Sequence, residues 1–492
     1  MDISIVKKAP EEAKADVLAV MWTSEGGQPP AASALDKTLG GWLTQTAKEE
    51  GFAGKEGETL TLRTEGRLPA AHVVLCGVGR KKDAAAESLR LAAASALQAA
   101  RKPAGRSLAF ALDVPRGTSA AEAAQAAAEG LILGAYRFGA FKTLEPEGPS
   151  SAVVLAPSAA FASARRGFVR GRLFAQATNV ARDLVNQPAG HLTPLALAKE
   201  AERLVAGKTH MSARLMRRAE LEKMGAGGLL GVAQGSAHEP VMVHLAYKPR
   251  AAKKRVALVG KAVTFDSGGL SLKTAKGMET MKCDMAGAAA VIGAFSALAA
   301  LKPDVEVHGI FGACENMPSG AALRPGDVVK TMSGKTIEIL NTDAEGRVTL
   351  ADALHFATTL APDAIVDLAT LTGAEMVALG EEITGLMSNR RPLADKVLAA
   401  AAQAGEKMWE LPLESAYKRE LESRVADFKN DTSRWGGCLT AGLLLQEFVA
   451  GVPWVHLDIA GPAFAERPFN VYTQSGGTGH GVRTLLEWIE RG

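Results

Sequence analysis

The chain has 492 residues, with 56 Lys+Arg against 53 Asp+Glu, so its formal net charge is 56 − 53 = +3. That length predicts two domains, each able to bury a core, and 47% hydrophobic with 22% charged residues argues against a disordered chain. The near-zero balance leaves no global case for a nucleic-acid or membrane partner, and 51 glycines without a fixed period exclude a collagen-like chain.

The start, Met1 to Lys8, carries an early acid and no long apolar core, unlike a signal peptide. Residues 1–155 are expected to form a smaller N-terminal α/β domain. Its short apolar runs (Ala71 to Cys76, Leu108 to Leu112) alternate with Ala-rich tracts (Leu89 to Ala100, Ala120 to Ala128) that read as helices. The polar, Pro-containing stretch Leu144 to Ser150 suits an interdomain joint. Residues 156–190 are expected to hold a linker helix, from about Ala160 to Val185, with Phe161, Phe168, Leu173 and Val180 on one face. Asn186 to Gly190 then stops it.

Residues 191–492 are expected to form a larger domain. Strands are expected at Val256–Val259, Val305–Ile310, Thr336–Leu340, Ala364–Leu368 and Trp454–Ile459. Helical stretches near 285–301, 348–361, 392–404, 438–450 and 480–490 separate them. This alternation predicts a central mixed sheet flanked by helices, with any site beyond the strand ends. The uncharged run Met285–Leu301 is short for a membrane span and reads as a buried helix.

The chemistry concentrates in this half. Lys261 and Asp266 follow the first of these strands; Lys273 and Asp284 precede the apolar helix; Asp343, Glu345 and Arg347 precede the next. A lone Asp at a helix start is usually a cap. Four carboxylates brought together repel unless cations neutralise them, and four negative charges match two divalent ions. The residues alone therefore point to a two-metal hydrolase, with the bond that it cuts left open.

The heptapeptide Asn341-Thr342-Asp343-Ala344-Glu345-Gly346-Arg347 resembles the signature of the leucyl (cytosol) aminopeptidases. Thr264–Gly269, Glu315–Gly320, Arg324–Asp327 and Leu457–Gly461 are similar to that family too, over roughly residues 180 to 490. The N-terminal third has the expected size and no matching motif. The resemblance implies a metalloaminopeptidase releasing Leu or other apolar N-terminal residues through a bridging water. One ion would be held by Lys261, Asp266, Asp284 and Glu345, the other by Asp266, Asp343 and Glu345 with the Asp343 carbonyl. The Lys261 amine would have to be neutral to ligate.

Lys273 would steady the oxyanion, and Arg347 would hold a bicarbonate acting as general base. Met281, Thr370, Gly373 and Ala463 would line the pocket for the first side chain. The resemblance also implies two divalent ions per subunit (Mn or Zn, or Mg), peptide substrates, a homohexamer and a cytoplasmic location, with no membrane partner. Because some bacterial members bind DNA, the alternative is a DNA-binding architectural protein. Its candidate clusters are Arg80-Lys81-Lys82, Arg101-Lys102, Arg165-Arg166 with Arg170 and Arg172, and Lys253-Lys254-Arg255.

Other signals fail. Gly334-Lys335-Thr336 lacks the earlier glycine of a phosphate-binding loop, where Val329 stands. No histidine falls in HExxH, and His308 and His456 read as satisfied core residues. The four cysteines, Cys76, Cys283, Cys314 and Cys438, form no CxxC pair and are expected as reduced thiols.

Overall fold

The computed structural model describes residues 1–102, 105–143 and 148–491. The first four residues of the expected interdomain joint, 144–147, lie outside the described residues. The chain divides into two compact units: Met1–Gln176 with Pro468–Gln474, and Ala177–Arg467 with Ser475–Gly492.

The first unit contains β1 (Asp2–Lys7), β2 (Val17–Trp22), α1 (Pro30–Thr38), α2 (Trp42–Glu49), β3 (Thr59–Arg63), β4 (His72–Gly77), α3 (Ala86–Ala99), β5 (Ser107–Ala111), α4 (Ala120–Ala135) and β6 (Ser151–Ala156). Its six-stranded sheet has the order β1-β6-β5-β2-β4-β3, parallel except at β3. Both faces are covered, and β2 (VLAVMW) is buried along its whole length, as a parallel strand must be. The Ala-rich tracts are α3 and α4, whose small side chains let the two helices pack closely. The helix α5 (Phe161–Asn186) follows; Phe168 and Phe174 are its buried aromatics in this unit, while Leu173 and Val180 are half-buried.

The second unit continues through α6 (Pro194–Val205), β7 (Met211–Arg217), α7 (Arg218–Met224), α8 (Gly227–Ala233), β8 (Val241–Tyr247), β9 (Lys254–Gly260), β10 (Ala262–Asp266), α9 (Ala275–Met278), α10 (Ala286–Leu301), β11 (Val305–Asn316), β12 (Val328–Lys330), β13 (Thr336–Glu338) and α11 (Gly346–Thr359). It ends with β14 (Ala364–Ala369), α12 (Gly373–Leu379), β15 (Thr384–Ser388), α13 (Arg391–Ala404), β16 (Met408–Glu410), β17 (Phe428–Lys429), α14 (Gly437–Gln446), β18 (Trp454–Asp458), β19 (Phe464–Ala465), β20 (Gly476–Gly477) and α15 (Val482–Arg491).

Its main sheet is mixed, in the order β16-β15-β18-β14-β9-β11-β8-β7, with β10 pairing β11. The strands β18, β14, β9 and β11 run parallel, so their C-terminal ends share one edge. The expected strand at Thr336–Leu340 is shorter and belongs elsewhere: β13 joins β12 and β17 in a small separate sheet. The apolar run Met285–Leu301 is α10, buried over Ala286–Phe295. Its start presses on the sheet; a Cβ on Gly287 would lie 2.0 Å from the Leu368 carbonyl, so only glycine fits there.

Candidate metal centre

The parallel strand ends gather the charged residues, as open sheets of this kind do. Lys261 directly follows β9, Asp266 ends β10, Asn316 ends β11, and Thr370 follows β14. Asp284 lies just before α10, and Asp343 and Glu345 just before α11. Neither helix start uses them as caps: no side-chain capping bond is made at Met285 or at Glu345. Asp284 and Asp343 pair with lysines instead.

The Lys261 amine lies 2.9 Å from Asp284 Oδ1 and 2.8 Å from Glu345 Oε1, and it donates to the Thr370 carbonyl at 2.9 Å. Lys273 Nζ lies 2.8 Å from Asp266 Oδ2 and also pairs with Asp343. One oxygen each from Asp266, Asp343 and Glu345 lies within 4.8 Å of the others. Asp266 Oδ1 accepts from the Gly268 N–H and from Asn316 Nδ2, both at 2.9 Å. The Thr370 hydroxyl donates to Asp284 Oδ1 at 2.8 Å. Gly346 sits against Lys261, where a Cβ would lie 2.4 Å from Cε; glycine inside the heptapeptide makes room for the lysine stem.

Burial opposes the Lys261 charge, but Asp284, Glu345 and Asp266 outweigh it and hold its pKa above the usual lysine range. Lys273 behaves likewise, raised by Asp266 and Asp343 against desolvation. Burial pushes the Asp284, Asp343 and Glu345 carboxyls up, with Lys261 or Lys273 pulling back. With every group charged, four carboxylates face two lysines, a net of −2. Asp284 Oδ2 and Glu345 Oε2 are buried without a hydrogen-bond partner. An unpaired buried carboxylate oxygen is costly, and this donor set suits divalent cations. The residues fit a metal centre.

Arg347 is buried on α11. It donates to the Asn430 carbonyl at 3.0 Å, and its Nε lies buried without a partner. Asn430 binds the heptapeptide as well, donating to the carbonyls of Asn341 (2.7 Å) and Ala344 (3.2 Å). Sequence reasoning missed Asn430, and its neighbourhood in the chain offers no signal that would have found it. Of the four expected pocket residues, Thr370 is tied directly to Asp284 and Lys261. Met281 lies in the short turn before Asp284, Gly373 begins α12, and Ala463 is buried in the loop after β18.

The His308 ring bonds His244 at 2.8 Å and Glu306 at 3.0 Å, while His456 bonds Asp367 at 2.6 Å. All four cysteines are free and buried. Several cations of the basic clusters have local partners: Arg80 pairs Asp83, Arg170 bonds Gln125, and Arg255 pairs Glu306.

Compared with known families, residues 179–486 match the cytosol aminopeptidase family, catalytic domain, and residues 17–145 match its N-terminal domain. The chain is 46% identical over 464 residues to the protein named "Probable cytosol aminopeptidase" of Thermosynechococcus vestitus, covering 93% of this chain and 92% of that one. It is 44% identical over 469 residues to the protein of the same name from Aquifex aeolicus, covering 94% and 93%. Among solved structures it is similar to the bottromycin maturation enzyme BotP in complex with Mn, with a TM-score of 0.87 at 39% identity over 97% of this chain and 99% of that one. It is also similar to a mutant of tomato leucine aminopeptidase, with a TM-score of 0.90 at 36% identity over 100% and 97%.

Proposed function

The chain belongs to the cytosol aminopeptidase family and is a peptidase that acts on peptides with divalent metal ions; from that premise, we propose that it releases apolar N-terminal residues, Leu foremost, at a two-metal centre. The observation that carries this reading is the convergence of Asp266, Asp343 and Glu345 oxygens within 4.8 Å, with Lys261 and Asp284 paired alongside. One ion would be held by Lys261, Asp266, Asp284 and Glu345, the second by Asp266, Asp343, Glu345 and the Asp343 carbonyl. When bound, two such ions supply Lewis-acid polarisation and a water nucleophile at neutral pH.

The residues do the rest. Thr370 fixes Lys261 and Asp284 in place, and Asn316 fixes Asp266. Lys273 presents a positive charge for the oxyanion that develops as the peptide bond is attacked. Arg347, with its buried unpartnered Nε, is the place for a bicarbonate that would accept the water's proton. Arg347→Ala should therefore no longer be stimulated by added bicarbonate; a response equal to the parent's would sink that assignment.

Met281, Thr370, Gly373 and Ala463 would receive the first side chain. A carboxylate there would be desolvated without a partner, so Leu or Met should be preferred to Asp or Glu. Differences of one methylene are worth only about 1–3 kcal/mol, so preference among apolar residues should be graded. The assembly proposed with this reading is a cytoplasmic homohexamer.

The test strips the metal, restores Mn or Zn, and compares Leu-p-nitroanilide with its N-acetyl form. A free amine in the ligand set implies that only the unblocked compound is cleaved, and only after metal returns. Comparable hydrolysis of the acetylated compound would mean an endopeptidase or amidase.

A further inference from the structure

Glu375, on the first turn of α12, is fully buried at 0% exposure. Its Oε2 accepts from the Gly461 N–H at 3.2 Å, while its Oε1 has no hydrogen-bond partner. Its backbone N–H donates to the Thr372 hydroxyl at 3.0 Å, and that hydroxyl donates to Asp458 Oδ2 at 2.7 Å. Asp458 Oδ1 in turn accepts the N–H groups of Leu371 (3.1 Å), Thr372 (3.4 Å) and Ala460 (3.3 Å). Two loops are thereby locked together. One carries Thr370 and Gly373; the other runs through Gly461 to Ala463.

Asp458 is surrounded by four donors, which suits a carboxylate, whereas Glu375 meets only the backbone N–H groups of Gly461 and Gly385 and its Oε1 makes no hydrogen bond. A proton shared by this buried acid pair therefore belongs on Glu375. We propose that Glu375 is a positioning residue for the first-residue pocket, holding the start of α12 against the Gly461 loop as the neutral carboxylic acid. The inference rests on the pocket reading given above.

Other groups around Glu375 are consistent with it. Asp458 faces it from the end of β18 and Cys438 from α14, and β15 turns the Gly385 N–H toward it, which with the Gly461 N–H favours the charged form but is outweighed by burial and Asp458. His456 and Arg347 act electrostatically on Asp458. Burial, then the Asp458 charge, push the Glu375 carboxyl up to about 8.

The experiment measures KM and kcat for Leu-p-nitroanilide from pH 7 to 9.5 in the parent, Glu375→Gln and Glu375→Ala, each with Mn restored. If only the neutral acid holds the pocket, about a tenth of the parent is competent at pH 9, so its KM should rise about tenfold over pH 7 with little change in kcat. Glu375→Gln keeps the neutral acceptor, so its KM should match the parent's at pH 7 and lack that rise. Glu375→Ala should have a raised KM throughout. Substrate amine and metal centre titrate alike in parent and Gln variant, so the difference isolates Glu375. An alkaline rise retained in Glu375→Gln overturns the proposal.

Gly-p-nitroanilide separates the two readings. If its KM rises as steeply as that of the Leu compound, Glu375 still positions the loops but the pocket assignment fails. Thermal melting supplies the readout independent of turnover. From about pH 5 to 8 the folded parent holds a proton that the unfolded chain has lost, so its stability falls with pH across that window and levels above it. The parent's melting temperature should therefore fall relative to that of Glu375→Gln between pH 5 and 8. Parallel melting profiles overturn the proposal.

Discussion

Glu345→Gln or Asp343→Asn should remove most peptidase activity while leaving the fold intact. Both side chains sit in a cluster of lysines and carboxylates, not in an apolar core, and each supplies an oxygen to the 4.8 Å cluster. Even loss of an indirect partner of a metal typically costs 10–100-fold in affinity or activity, so loss of a proposed direct ligand should cost more than about 10²-fold. Bound metal should fall below two ions per chain. Stability should move the other way in metal-free protein: burial penalises the Glu345 charge, and removing it relieves repulsion from Asp266 and Asp284. The metal-free melting temperature of Glu345→Gln should therefore be no lower than the parent's. Near-normal turnover with two ions bound would remove the two-metal assignment, and a metal-free melting point several degrees lower would show that Glu345 is structural.

Much of this site was legible because its groups stand in short, contiguous runs. Asn341 to Arg347 carries two carboxylates and a cation within seven residues, and the strand-and-helix alternation alone puts them at strand ends. The two-domain α/β reading was legible for a similar reason: Ala-rich helices and apolar strands announce themselves locally. What escaped is long-range. Asn430 supports the heptapeptide from 83 to 89 residues away along the chain, and no local pattern marks an asparagine for that task. Thr370 was expected only as a pocket wall, whereas its carbonyl and hydroxyl fasten Lys261 and Asp284.

The strand at Thr336 was read from β propensity, which cannot tell a central sheet from a three-stranded side sheet. The common role of an Asp near a helix start, a cap, does not describe Asp284 or Asp343, whose carboxylates pair with lysines distant in sequence. The N-terminal third offered no motif, yet its whole-segment pattern matches the family's N-terminal domain over residues 17–145.

Lys273→Ala should lower kcat by about 10²–10³-fold, equivalent to about 2.7–4 kcal/mol, the usual scale for removing one oxyanion-stabilising group. The ammonium is held by Asp266 at 2.8 Å and by Asp343, and its side chain is 19% exposed, the more open of the two lysines. Lys261, at 4%, is enclosed by carboxylates and the Thr370 carbonyl. Position supports the proposed division of tasks, in which Lys261 would join the metal ligand set and Lys273 would meet a substrate oxygen.

Charge that develops only during bond breaking is felt in kcat more than in KM, so KM should move little. Lys273→Arg keeps the charge in a wider, planar fork and should fall between parent and alanine. Metal content separates this role from a structural one. Lys273 competes with cations for Asp266 and Asp343, so its removal should leave two ions bound, at equal or higher affinity. A Lys273→Ala protein with kcat within threefold of the parent would end the oxyanion assignment; loss of metal would place Lys273 in assembly of the centre instead.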